Sequence, residues 1–460
     1  MRITVVGMGH ARTVAAACLA DSGSDVSVVD IDPTKTAQLN VGQSPVADRR
    51  LRIALVGTRG VPARYGGFET CVEQVGLRLV RAGHEVVVYC RTPHDQPRPA
   101  EYEGTQLVHL PTMRKKSLET LSHTALSISH LMRHKVDAAI VFNAANAVFL
   151  PLLRARGIPV ATHVDGLEWK RAKWQGAGRH YYRMAEALAV RWSDALIADA
   201  QGIADYYYAE FHAPTELIHY GAPILSDRSD RLGELGLTSR GYHLVVARFE
   251  PENHVDVIVD GYRRSEATLP LVVVGSAPYA DQHTARIHSL ADERVTFLGG
   301  LWDQDLLDQL YGNCATYLHG HSVGGTNPSL LRAIGAGAAT IAYDVNFNRE
   351  VLADSGRFFH STMDVAREIE YAEKAPERTR ARGRRAQRVA LRYDWDDAAA
   401  RYGQMCGRLA ARGPLPRRLR PSGRRRNGID TDVPTPPRTD RIDEQQLATI
   451  EPVLPQRKVG

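Results

Sequence analysis

Between Ile53 and His360 the chain alternates apolar runs of three to five residues with longer stretches of helical spacing, and this rhythm limits its folding options more than any other feature. Such runs are too short for helices and lack polar alternation, so they read as strands buried on both faces. Strands separated by helices pair in parallel, which predicts sheets covered on both sides. The first series is Ile53–Val56, Val86–Cys90, Leu107–Leu110, Ala138–Phe142, Val160–His163, Ala195–Ala198 and Glu216–His219. The second is His243–Ala247, Leu271–Val274, Val295–Leu298, Thr316–Leu318, Thr340–Tyr343 and Phe358–His360. Between them, residues 214–230 hold Gly221, Pro223 and a charged run and read as a hinge. Two doubly wound α/β domains are therefore expected, facing a cleft at the carboxyl ends of both sheets, where ligands of open sheets bind. An Arg-rich helical stretch, Glu377–Arg392, and an amphipathic helix, Trp395–Leu409, complete the folded part.

Residues 1–50 form a separate β-α-β pattern: strand Arg2–Val6, helix Ala11–Leu19, strand Val26–Asp30. The turn from Gly7 to Arg12 carries two glycines of G-x-G-x-x-G, and Asp30 lies at the spacing of a ribose-gripping acid. Arg12 replaces the third glycine, the one that lets helix and strand pack closely, and so weighs against dinucleotide binding. A lone unit of this size buries little surface.

Net charge +6 raises the question of a nucleic-acid partner, but seven Arg fall within residues 412–426 with no acid among them. Taking that +7 away leaves −1 on the rest, so the folded body is nearly neutral and a nucleic-acid groove is not expected. Beyond about Gly413 the chain is rich in Pro, Arg and Asp without apolar period, which reads as a disordered basic tail. The longest nearly apolar stretch, Ala144–Leu153, is about half the ~20 residues that span a bilayer. A cytoplasmic protein is expected. Five widely spaced cysteines suggest reduced, mostly buried thiols with neither a disulfide frame nor a metal site. Arg114, Lys115 and Lys116 precede a helical pattern with Leu118, Leu121, Ala125, Ile128 and Leu131 on one face. It reads either as a core-facing helix with a basic end or as a peripheral contact with anionic membrane at the inner face of the cell membrane.

Candidate chemistry gathers at strand ends. Gly57–Glu69 holds four glycines, Gly66 and Gly67 among them, with Arg59 and Arg64 before a helix, suiting an anionic group near the backbone. After Val160–His163 comes a cluster of His163, Asp165, Glu168, Lys170 and Arg171 beside Trp169, able to bind sugar hydroxyls or handle protons, while Trp169 and Trp174 are equally compatible with core positions. Arg248 ends the next domain's first strand and can pair bidentately with phosphate; Asn253 follows it. Finally, Gly324, Gly325 and Thr326 lead into a helix with Asn327 as N-cap and Pro328 as first helical residue, a ready phosphate site. Ser-His-Asp triads, H-E-x-x-H and a Walker loop are absent from the sequence.

The strings Gly57–Glu69, Val164–Trp174, Arg248–Asn253 and His321–Ala333 resemble retaining glycosyltransferases of family 4, in particular a rhamnosyltransferase-like bacterial branch, over about Leu51–Arg412. The resemblance implies the GT-B fold: 51–222 a Rossmann-like acceptor domain, 223–394 a Rossmann-like nucleotide-sugar domain, 395–412 a helix crossing back to the first, with 1–50 appended and 413–460 a tail. It implies a nucleotide-diphospho-sugar as donor substrate, no cofactor or metal, and a saccharide or lipid-linked saccharide as acceptor, in cell-surface polysaccharide synthesis. His163, Asp165 and Arg248 are the expected catalytic residues, with His163 at the transferred sugar and Arg248 at the diphosphate, and Gly66, Gly67, Glu168, Asn253, Gly324, Gly325, Thr326, Asn327 and Arg332 are expected to bind the substrates. Two signature Glu of the wider family stand here as Gly324 and Arg332, and its Lys as Asn253. Residues 1–48 resemble the start of UDP-glucose and GDP-mannose dehydrogenases, in the run Val28–Pro33. A dehydrogenase-related protein and a binding protein that has lost catalysis are the competing expectations.

Overall fold

The computed structural model describes residues 2–7, 16, 19–20, 23–30, 50–63, 66–92, 98–113, 118–164, 166–171, 174, 176–225, 229–276 and 281–414. The alternating apolar runs form two large sheets. The first has eight strands: β3 (Arg52–Val56), β4 (Glu85–Arg91), β5 (Glu101–Tyr102), β6 (Thr105–Leu110), β7 (Ala138–Phe142), β8 (Val160–His163), β9 (Ala195–Ala198) and β10 (Glu216–Leu217), in the order β10-β9-β8-β7-β3-β4-β6-β5. All its pairings are parallel except β5 with β6. The short β5 escapes the apolar pattern because Glu101 and Tyr102 are not a core run. The second sheet has six parallel strands: β11 (His243–Val246), β12 (Leu271–Val274), β13 (Val295–Gly299), β14 (Thr316–His319), β15 (Thr340–Tyr343) and β16 (Arg357–Phe359), ordered β13-β12-β11-β14-β15-β16. Its order reverses between β11 and β14, so the loops after those two strands frame a crevice.

Strand alternation sorts the core. Ile53 and Leu55 of β3 face one apolar cluster and Ala54 and Val56 another; in β11, Val245 and Leu244 divide the same way. The first cluster also takes in Leu330, Leu331 and Ile334 of the helix Pro328–Gly335 and Trp395, Tyr402 and Met405 of the helix Trp395–Arg412. That last helix lies on Gly67–Arg81: the Arg78 guanidinium meets the Asp396 carboxylate at 2.5 Å, and the Cys71 Sγ is 3.6 Å from the Tyr402 hydroxyl. Gly221 permits the approach, since a Cβ there would lie 2.5 Å from the Trp395 amide nitrogen. Cys71, Cys90, Cys314 and Cys406 are buried free thiols.

Ahead of these sheets, β1 (Arg2–Val6) and β2 (Asp25–Val29) pair in parallel as a separate two-stranded sheet. The turn to Arg12 and most of the expected helix Ala11–Leu19 lie outside the described residues, as do Arg64, Arg114–Lys116 and the tail beyond 414. One helix face needs correction. In Glu119–Leu131 the buried stripe is His123, Thr124, Ser127, Ile128 and Leu131, while Leu118 stays 38% and Leu126 41% exposed. Polar residues enter the stripe because a short side chain can bond back to its own helix, as the Ser127 hydroxyl does to the His123 carbonyl at 2.8 Å.

Candidate functional site

Two helix starts meet at the crevice. Gly66 is the N-cap of Gly67–Arg81 with φ 100°, a backbone that glycine adopts without strain, and as glycine it brings no capping side chain of its own. Opposite, the Asn327 side chain accepts from the Ser329 amide at 2.9 Å, and Pro328 follows as the first helical residue. A Cβ on Gly67 would lie only 3.4 Å from the Pro328 ring. The positive ends of two helix dipoles therefore converge, one from each sheet's domain.

His163 ends β8 beside this junction. Its ring is fully buried, ringed by Phe68 at 5.2 Å, Phe142 at 5.3 Å and Tyr220 at 5.7 Å, and burial pushes the imidazole down to about 3. It is neutral at working pH. The backbone of Gly166, in the following loop, presses on Gly324: a Cβ on Gly166 would lie 2.4 Å from the Gly324 carbonyl oxygen. Glu168 is buried, accepts from the Trp174 indole at 3.2 Å and pairs with Arg171 at 2.6 Å. Arg171 reaches across to Glu252 of the second domain at 3.3 Å. Trp169 and Trp174 belong to a small apolar cluster with Tyr182, and the guanidinium of Arg179 lies 4.9 Å over the Trp169 ring. Asp165 lies outside the described residues.

From the second sheet, Arg248 follows β11. The Asn253 amide donates to the Arg248 carbonyl at 2.8 Å, and its oxygen lies 2.8 Å from His321 Nδ1. Asn253 thus braces the loop after β11 against the loop after β14. Burial holds His321 well below the usual histidine range, aided by the charges of Arg171, His319 and Arg248. Gly325 lies against Asp199 and Ile203, where a Cβ would come within 2.2 Å of the Asp199 carboxylate, and the Thr326 hydroxyl donates to the Asp199 carbonyl at 2.8 Å. Arg332 pairs with Asp308, whose carboxyl burial raises. The structure thus gathers Gly66, Gly67, His163, Glu168, Asn253, Gly324, Gly325, Thr326 and Asn327 around one crevice, with the charge of Arg248 felt at its buried His321.

Sequence reasoning passed over Asp199, Glu252, Tyr220 and Tyr402. All but Tyr402, which lies inside the last helix, follow a strand end, and that is the sole local signal they carry. A cavity of about 200 Å³ lies elsewhere, bordered by Arg240, Leu269, Ala315 and Glu373 at the amino ends of the second sheet, and contains none of the expected site residues. Among the described residues no group of three or more His, Cys, Asp or Glu is placed to hold a metal ion.

Residues 234–389 match the family model for glycosyl transferases group 1, residues 51–223 a domain of unknown function (DUF1972), and residues 1–61 the NAD binding domain of the UDP-glucose/GDP-mannose dehydrogenase family. The UDP-glucose 6-dehydrogenase AglM of Haloferax volcanii is 46% identical over 46 residues, which are 10% of this chain and 11% of that protein. The chain therefore spans only about a tenth of that relative. Among solved structures, sucrose-phosphate synthase from Thermosynechococcus elongatus is 18% identical with TM-score 0.69, covering 79% of this chain and 100% of that one. HepE of Anabaena in complex with UDP-glucose is 17% identical with TM-score 0.64, covering 79% and 100%. WaaG, a glycosyltransferase involved in lipopolysaccharide biosynthesis, is 16% identical with TM-score 0.60, covering 77% and 99%. At these identities the likeness is one of fold.

Proposed function

We propose that this chain, which has the GT-B fold and matches the group 1 glycosyl transferase model over residues 234–389 behind a dehydrogenase-like start, moves a sugar from a nucleotide-diphospho-sugar to a saccharide or lipid-linked saccharide with retention of configuration. The observation that carries this reading is the meeting of two helix amino ends, at Gly67 and Pro328, in a site whose buried His321 feels the charge of Arg248. Such a place stabilises a diphosphate whose charge grows as the glycosidic bond breaks. The leaving diphosphate oxygen would assist removal of the acceptor proton on the same face. In this reading the first domain holds the acceptor and the second the donor; HepE, bound to UDP-glucose, supports that donor class. Rhamnose as the sugar, and a role in cell-surface polysaccharide synthesis, follow from the string resemblance.

The first test is thermal stabilisation of the full chain by UDP, dTDP, GDP and NAD at equal concentration. One nucleoside diphosphate, at a hundred times its Kd, is expected to add ~2.7 kcal/mol and would name the donor base. A response to NAD alone would favour the dehydrogenase-related reading, and no response would favour a binding protein without this chemistry. Arg332 enters the same experiment. We propose that its guanidinium exchanges the Asp308 carboxylate for the diphosphate, so Arg332→Ala should weaken the response; an unchanged response removes it from the site.

We further propose a peripheral contact with anionic membrane through the first domain, where Met113, Leu118 and Leu126 are exposed and the Met113 amide donates to the Ser122 hydroxyl of the same helix as Leu126. No described helix is long and apolar enough to cross a membrane. Co-sedimentation with phosphatidylglycerol vesicles should fall several-fold in a Leu118→Glu, Leu126→Glu double variant and stay low with phosphatidylcholine. Equal sedimentation of variant and wild type would end this part of the proposal.

A further inference from the structure

The group that fixes the His163 ring comes from the last helix, far along the chain. The Tyr402 hydroxyl lies 2.8 Å from His163 Nδ1 and, on its other side, 3.6 Å from the Cys71 Sγ. All three side chains are shut from solvent. Burial pushes the Cys71 thiol up to about 12 and the Tyr402 phenol well above its usual range, and it holds His163 down to about 3. The chain of groups is therefore neutral throughout, with one proton on each member.

Chemistry selects the order of those protons. A phenol is a good donor and an imidazole nitrogen a good acceptor, whereas sulfur is weak in both roles. The favoured arrangement has Tyr402 donating to His163 Nδ1 and the Cys71 thiol pointing its proton at the Tyr402 oxygen. The reverse would turn the phenol proton toward sulfur and leave the better acceptor unused. With Nδ1 accepting, the imidazole proton sits on Nε2. That nitrogen is buried and has no hydrogen-bond partner among the described residues, and a buried N–H left in this way is costly until an acceptor arrives.

We infer that Tyr402 is a positioning residue that locks His163 in its Nε2–H tautomer, so that His163 presents a neutral hydrogen-bond donor to an oxygen of the sugar; the sugar part rests on the transferase reading above. In that state His163 cannot take the acceptor's proton as a base. It can orient and polarise an oxygen while the leaving diphosphate handles the proton.

The test is ¹⁵N NMR of the full chain labelled at histidine, with the His163 signals assigned by their loss in His163→Gln. The expected wild-type pattern is an unprotonated, pyridine-like Nδ1 and a proton-bearing Nε2. A proton on Nδ1 overturns the inference; the pattern is read on the wild type itself, and through-bond correlation to the His163 backbone supplies the assignment if His163→Gln does not fold. In Tyr402→Phe the two tautomers should mix, and kcat/KM should fall about 3- to 10-fold, the loss of one neutral hydrogen bond. Cys71→Ala should keep the Nε2–H pattern, because the sulfur is only a weak partner. An unmixed tautomer in Tyr402→Phe overturns the role of Tyr402. A wild type that shows the Nε2–H pattern yet binds none of the nucleoside diphosphates upholds the lock and overturns the transferase reading instead.

Discussion

Arg248→Ala is expected to lower kcat by roughly 10²- to 10³-fold, the range seen when one preorganised stabiliser of transition-state charge is removed. Arg248 sits where the strand order of the second sheet reverses, between β11 and β14, and the Asn253 amide holds its carbonyl in place. Its charge, with that of Arg171, is felt at the buried His321, which sets both guanidiniums close to the crevice. Arg171 is already engaged by two carboxylates, Glu168 and Glu252. In the transferase reading Arg248 answers the growing diphosphate charge, and its planar fork suits bidentate pairing. Arg248→Lys keeps the charge without the fork and should fall between the two. The loss should appear in kcat more than in KM if the contact tightens as the bond breaks. Near-normal transfer by Arg248→Ala, with the variant folded, would count against the site assignment.

Much of this fold is legible in the sequence because buried parallel strands leave a direct signature. Val160–His163, Ala195–Ala198, Leu271–Val274 and Thr340–Tyr343 are strands at the ends read from their apolar runs. The cap at Asn327 is equally local: a short polar side chain before proline favours a helix start, and its oxygen accepts from the Ser329 amide. Glu216–His219 read two residues too long, since His219 turns its Nδ1 to the Asp199 carbonyl at 2.9 Å and leaves the ladder. Contacts between distant segments have no such signature. Tyr402 meets His163 across 239 positions, and Thr326 meets Asp199 across 127. An aromatic on an amphipathic helix and a threonine in a glycine loop look alike whether or not they reach a site. The same limit hides the pairing of Arg332 with Asp308, because the carboxylate comes from a different helix.

The folded chain is expected to lose stability steeply as pH falls from about 6 to about 4. His123, His163 and His319 are buried, and burial lowers them to about 4, about 3 and about 3. Unfolded, each titrates near 6.5. A folded pKa below the unfolded one means that acid protonates the unfolded chain first. The stability tied to the neutral rings is therefore full above about 6.5 and drains away as pH falls toward the folded values. Each ring contributes a slope of ~1.4 kcal/mol per pH unit, so these three together give ~4 kcal/mol per unit, and His321, which burial also holds well below its usual range, adds a fourth contribution. Glu373 adds to the loss at the acid end, since hydrogen bonds from His243 and the Thr268 and Leu269 amides outweigh its burial and bring it to about 2. Glu69, Asp308 and Glu350 work the other way: burial raises them, so their protonation on acidification favours the fold and softens the fall. Urea unfolding at a series of pH values checks the slope, and His123→Leu should flatten it by about a quarter because one of the four rings is gone. A midpoint that stays level from pH 6 to about 4.5 would mean that these rings accept protons without unfolding, and so that they are open to water.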